Sequence, residues 1–140
     1  MVLLAVIVSL AACLPMTHRQ LSVPSRPESR TIPMKSEIVR EAVERALIKK
    51  DFSLDTAQSK PLHVETEWLE DRDLGYRSLV KADIEEDGRT RTKVTLNMAL
   101  ETKVRFKEIW EPMDTIPIDA LRLLLNDIEM ESYRVLYDPP

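Results

Sequence analysis

The sequence predicts an α+β fold in two layers: a helix, four antiparallel strands and a second helix. Three observations predict it. Apolar residues recur at helical spacing over 36–50 and again over 115–134, and between them the chain alternates apolar and polar with a period of two. Each helix then has one dry stripe and the sheet one dry face. These surfaces must bury against each other.

The chain of 140 residues is long enough for one domain with a modest core. Hydrophobic residues make up 44% and charged residues 31%, a globular balance. With only two glycines there is no Gly-rich phosphate loop, which argues against nucleotide binding of that kind. The formal net charge is -4 with no strongly basic run, so nucleic acid is not an expected partner. A single cysteine, Cys13, excludes an internal disulfide.

Residues 1–12 read MVLLAVIVSLAA and are followed by Cys13. The apolar run is too short for a membrane-spanning helix, which takes about 20 residues. Its length suits the apolar region of a signal peptide, roughly 7–15 residues, although no Lys or Arg precedes it. Leu10-Ala11-Ala12-Cys13 resembles the lipobox of bacterial lipoproteins, an aliphatic residue and two small ones before a cysteine. Small side chains suit a peptidase, and a thiol carries the lipid. The resemblance implies that Cys13 becomes the first residue of the mature chain and is acylated. A three-chain anchor is effectively permanent, because each buried CH₂ adds ~0.8 kcal/mol. Leu14 follows where inner-membrane retention would show Asp, which implies the outer membrane, facing the periplasm. The alternative is an apolar N-terminal strand with a core cysteine.

Residues 13–35 are expected to be the lipidated cysteine and a flexible tether, since Pro15, Pro24, Pro27 and Pro33 argue against regular structure. Its charges, Arg19, Arg26, Arg30 and Lys35 against Glu28, are mostly positive and could rest on anionic headgroups, but they read as incidental charges on a plain spacer.

Residues 36–137 form the expected single domain. Ser36 is the expected cap of the first helix, with Glu37 at its positive end. Ile38, Val39, Ala42, Val43, Ala46 and Leu47 make its dry stripe. A short strand follows over 52–56. A second strand puts Leu62, Val64, Thr66 and Trp68 on the dry face and His63, Glu65 and Glu67 on the wet one. A third strand places Tyr76, Ser78, Val80, Ala82 and Ile84 inward.

The turn at Glu86-Asp87-Gly88 fixes how the third strand meets the fourth. A two-residue loop would pair Ile84 with Arg91, apolar against charged. A three-residue loop with Gly88 left-handed pairs Ile84 with Thr90, Ala82 with Thr92 and Val80 with Val94. It leaves Lys81 opposite Lys93, which Glu65 or Glu67 can neutralise. The fourth strand, over 90–106, would span ~56 Å and overshoot its partner, so it is expected to bend or break near Ala99. Thr115 is the expected cap of the second helix, with Pro117 in its first turn and Ile118, Leu121, Leu124, Leu125 and Ile128 inward to about Arg134. This order is helix-grip-like.

No constellation of catalytic residues is present, so an enzyme is not expected, and no cofactor. His63, Glu65 and Glu67 have zinc-ligand chemistry but read as a solvated strand face. Trp68 and Trp110 read as core rather than as a ligand groove. Arg89, Arg91, Lys93, Lys103 and Arg105 fall on one strand face and form a possible partner-binding surface.

The stretch VETEWLEDRDLGYRSLVKADIEEDGRTRTKVTL resembles the repeated domain of the C-type lipoprotein of the bacterial β-barrel assembly machine, through Thr66-Glu67-Trp68 and the basic strand Arg89 to Val94. That family carries two such domains and this chain one. The resemblance implies a non-enzymatic scaffold at the outer membrane, anchored by lipid and meeting an envelope protein. The alternative is a periplasmic module for a lipid or small apolar ligand, held under the helix. Large dry-face residues, Tyr76, Met98 and Phe106, favour a filled core and hence the adaptor.

Overall fold

The computed structural model describes residues 22–104 and 107–138. Cys13, the segment before it, the tether as far as residue 21, Arg105 and Phe106 lie outside the described residues.

The fold is α+β, with two helices against one face of a mostly antiparallel sheet. In chain order the elements are β1 (Ser22–Pro24), β2 (Glu28–Ile32), α1 (Ser36–Lys49), β3 (His63–Glu65), β4 (Leu69–Asp71), β5 (Tyr76–Glu86), β6 (Thr92–Lys103), β7 (Trp110–Met113), β8 (Thr115–Pro117) and α2 (Ala120–Tyr137). The long strands β5 and β6 form the centre. Along its outer edge β6 pairs with β2 and then β7; along its own, β5 pairs with β3 and then β4. Strands β1 and β8 make a separate two-stranded ribbon.

The even-numbered residues of β5 and β6 face the helices. Val80, Ala82, Ile84, Val94 and Leu96 are buried there against Val39, Val43 and Leu47 of α1 and Leu121, Leu125 and Ile128 of α2. These are the stripes that the sequence periods predict. Helix α1 ends in a Schellman motif. The Phe52 amide donates to the Leu47 carbonyl and the Asp51 amide to that of Ile48, with Asp51 left-handed at φ 70°. Phe52 and Leu47 are both buried at this turn.

Several expectations are corrected. The proline-bearing stretch is not wholly a linker: β1 and β2 lie in it, and Ile32 and Met34 are core residues. Prolines are tolerated because both strands sit at sheet edges, where a missing N–H interrupts no ladder. Ser36 does not cap α1. It lies inside the helix, and its hydroxyl donates to Glu86 Oε1 at 2.8 Å. Residues 52–56 contribute only a bridge, Leu54 to Thr66. Thr115 and Pro117 belong to β8. Helix α2 begins at Ala120, leaves Ile118 exposed, and continues to Tyr137.

The β5–β6 register is also corrected. Ile84 faces Val94, Ala82 faces Leu96 and Val80 faces Met98, four residues beyond the expected partners. A slip of four keeps every side chain on its face, so alternation cannot detect it. This register matches apolar with apolar under the helices. It leaves a five-residue loop, closed by the Asp87 amide donating to the Arg91 carbonyl, with Gly88 at φ 85°. The opposition of Lys81 and Lys93 disappears, since Lys81 faces Asn97 and Lys93 faces Glu85. So does the overshoot: β6 pairs with β5 without interruption through Ala99 and on to Thr102.

Candidate functional site: the open sheet face

The helices cover one face of the sheet only. On the other face a bulge re-aims one large side chain. Glu65 lies opposite Lys81, but Leu69 lies opposite Ser78, so residues 66–68 oppose only Leu79 and Val80. The extra residue reverses the alternation. Leu69 turns inward and packs on the core, and Trp68 turns outward and is 36% exposed. A buried pair of bonds holds the bulge. The Thr66 amide donates to the Val80 carbonyl at 3.0 Å, and the Val80 amide donates to Thr66 Oγ1 at 2.9 Å. Trp68 is therefore not the core residue that alternation predicts.

Outward from β5, Arg77 lies between two indoles. Its guanidinium carbon is 4.5 Å from the Trp68 ring centre and 4.6 Å from that of Trp110. Trp110 is placed by β7, where it pairs with Lys103, whose ammonium is 5.9 Å from the same ring. Directly opposite Arg77 on β6 is Glu101, which accepts from Arg77 Nε at 2.8 Å and Nη2 at 2.5 Å. Four side chains from the 66–68 bulge, β5, β6 and β7 thus form one stack. Cation–π contacts and two charge-assisted bonds converging on Glu101 Oε1 fix the guanidinium plane.

Further along the face, His63 is held on both sides. Its Nδ1 is 2.7 Å from Asp83 Oδ1 and its Nε2 is 2.9 Å from Glu65 Oε2, while Lys81 reaches Glu65 at 3.8 Å. The bonds to Glu65 and then Asp83 raise the imidazole pKa above its ordinary 6.5, against a smaller opposing effect of burial. Glu67 falls in the bulge, so the trio His63, Glu65 and Glu67 is not in regular alternation. Among the described residues no group of three His, Cys, Asp or Glu side chains is placed to hold a metal ion.

Arg105 lies outside the described residues, and the other four basic residues singled out in the sequence, Arg89, Arg91, Lys93 and Lys103, do not make one patch. Arg89 and Arg91 are in the β5–β6 loop, Arg91 3.6 Å from Asp87. Lys93 faces Glu85 and Thr31. Lys103 is ten residues away, about 33 Å along an extended strand. Of these four, Lys103 alone joins the aromatic stack. Arg77 and Glu101 are the site residues that sequence reasoning missed. The available signal was Trp68-Leu69, where a bulge exchanges which of the two faces inward.

At the β1–β8 ribbon, Leu74, Tyr76, Leu100, Met113 and Ile116 line an apolar groove of about 260 Å³. Among the described residues no helix is long and apolar enough to cross a membrane. In comparisons with known proteins, no family model and no curated protein matches this chain.

Proposed function

We propose that this protein is a non-enzymatic adaptor of the bacterial envelope. It is anchored to the outer membrane through lipid on Cys13, faces the periplasm, and docks a protein partner on its open sheet face. The observation that carries docking is the Trp68–Arg77–Trp110 stack, lying on a sheet face that no other element covers among the described residues. Trp and Arg are enriched at binding hot spots, Trp for its large rigid contact area and Arg for its planar fork of donors. Here Glu101 and the flanking indoles hold the arginine in place before any partner arrives, which lowers the ordering cost of binding.

Anchoring rests on the order of residues 10–13, and a role beside outer-membrane protein assembly rests on the resemblance of residues 36–137. The start of β1 at Ser22 bears on reach. Fewer than ten residues separate it from Cys13, so the fold would stay within about 30 Å of the lipid. Metabolic labelling with palmitate should mark the protein, and Cys13→Ser should remove the mark. Crosslinking in native envelopes should recover a defined protein partner.

Binding of a small apolar ligand has one supporting observation, the groove beside Tyr76 and Leu100. Its volume lies just under the roughly 300–1,000 Å³ of ordinary ligand pockets. Recovery of lipid alone in the crosslinking experiment would favour that function.

A further inference from the structure

The solvent side of α2 carries an apolar ridge where polar residues are the rule. Leu123, Met130 and Tyr137 are spaced by seven, directly opposite the buried stripe, and are 53%, 55% and 80% exposed. Two polar pairs flank the ridge. Asp127 and Arg134 lie on the side of α1, where Lys50 reaches Asp127 at 3.0 Å. Asn126 and Tyr133 lie on the side of β2, where Arg30 donates to Asn126 Oδ1.

The pattern is symmetric about Met130. Leu123 and Tyr137 are equidistant from it, Asp127 and Arg134 are three residues before and four after, and Asn126 and Tyr133 are four before and three after. We infer that this ridge binds a second copy of the chain, α2 against α2 in antiparallel order, with the two-fold axis at Met130. A two-fold interface is self-complementary, so each contact occurs twice. Leu123 packs on the second copy's Tyr137, Asp127 meets its Arg134, and Asn126 meets the hydroxyl of its Tyr133. Parallel pairing would instead set the Asp127 and Arg134 flank against the second copy's Asn126 and Tyr133 flank, so the Asp127–Arg134 ion pair forms only in the antiparallel order.

The intramolecular bonds leave capacity for these contacts. Asp127 has a second oxygen beyond the one at Lys50, and Arg134, which donates from Nη1 to Glu131, has further donors in its fork. A seven-residue spacing drifts only ~20° per repeat, which suits a shallow crossing of two helices. Helix α2 has 18 residues and is about 27 Å long. One such helix pair makes an interface below the roughly 1,200 Å² of stable complexes, so monomer and dimer exchange with concentration.

The test uses the full chain with Cys13→Ser, so that one engineered thiol is present. Under mild oxidation Met130→Cys should form covalent dimers. Leu123→Cys and Tyr137→Cys should each fail alone, since in the antiparallel pair like positions lie roughly 21 Å apart. A mixture of those two variants should crosslink. Equal self-crosslinking at all three positions, or none at any, overturns the proposal. Sedimentation gives a second arm. Mass should rise with concentration for the parent and stay monomeric for Met130→Asp, whose helical circular dichroism should be unchanged at this exposed position. A parent that stays monomeric, or a rise equal in both, as from association through the apolar N-terminal segment, also overturns it.

Discussion

Arg77 and Glu101 stand directly opposite each other on the two central strands, and the guanidinium joining them is closed between the rings of Trp68 and Trp110. Both side chains of the ion pair are largely shielded, so the pair belongs to the structure of the face as much as to its charge. Arg77→Ala is expected to lower stability by about 2 kcal/mol, as the loss of two cation–π contacts and one sheltered ion pair. Both tryptophans of the chain lie in this stack, so denaturant unfolding followed by intrinsic fluorescence reads the change. Unchanged stability and emission would refute the stack.

The bulge that turns Trp68 outward depends on Thr66, which is fully buried and accepts from the Val80 amide. Thr66→Val keeps the shape and removes the acceptor, leaving a buried amide unpaired. It should destabilise by about 1–3 kcal/mol, and Thr66→Ser by much less. Equal effects of the two would show that the hydroxyl does not hold the bulge.

Glu131 is only 3% exposed, at the junction of the two helices, and accepts from Lys49 and Arg134. Burial by itself raises its pKa, but the two cations together outweigh burial and hold it below the ordinary 4.5. A depressed carboxyl stabilises the fold above its unfolded pKa and loses that contribution as pH falls through the folded value. Glu131→Gln should cost about 1–2 kcal/mol at neutral pH, at the low end for charged bonds because both cations are more than half exposed. The acid-induced loss of stability should be smaller in the variant than in the parent. An identical pH profile would contradict this.

His63 has the opposite sign. Its raised pKa means that its contribution is fully present below pH 6.5 and is lost as pH rises through the higher folded value. Replacement by glutamine should flatten that part of the stability profile. Proton NMR of the His63 ring should titrate above the ordinary value in the parent; a midpoint at or below it would count against the bridge to Glu65 and Asp83.

Much of the fold was legible because period and burial are the same fact. Val39, Val43 and Leu47, like Leu121, Leu125 and Ile128, occur at helical spacing, and all are core residues. Alternation likewise placed Val80, Ala82, Ile84, Val94 and Leu96 on the inner face. What alternation cannot report is a shift that preserves parity, and the β5–β6 register is such a shift. Nor can it report a single extra residue, and the bulge at 66–68 is one. Ile32 was hidden because the prolines around it signal a linker, although an edge strand accepts them. The site was less legible than the fold for the same reason. Arg77, Glu101, Trp68 and Trp110 come together only through the register and the bulge.

The docking claim is tested most directly by a photo-crosslinking amino acid at Ala99, an exposed position of β6 on the open face, with Glu37 at the start of α1 as control. In native envelopes the probe at Ala99 should capture one defined protein, the control should not, and Trp68→Ala should abolish capture. Equal capture from both positions, or capture from Ala99 that survives Trp68→Ala, would contradict docking on this face.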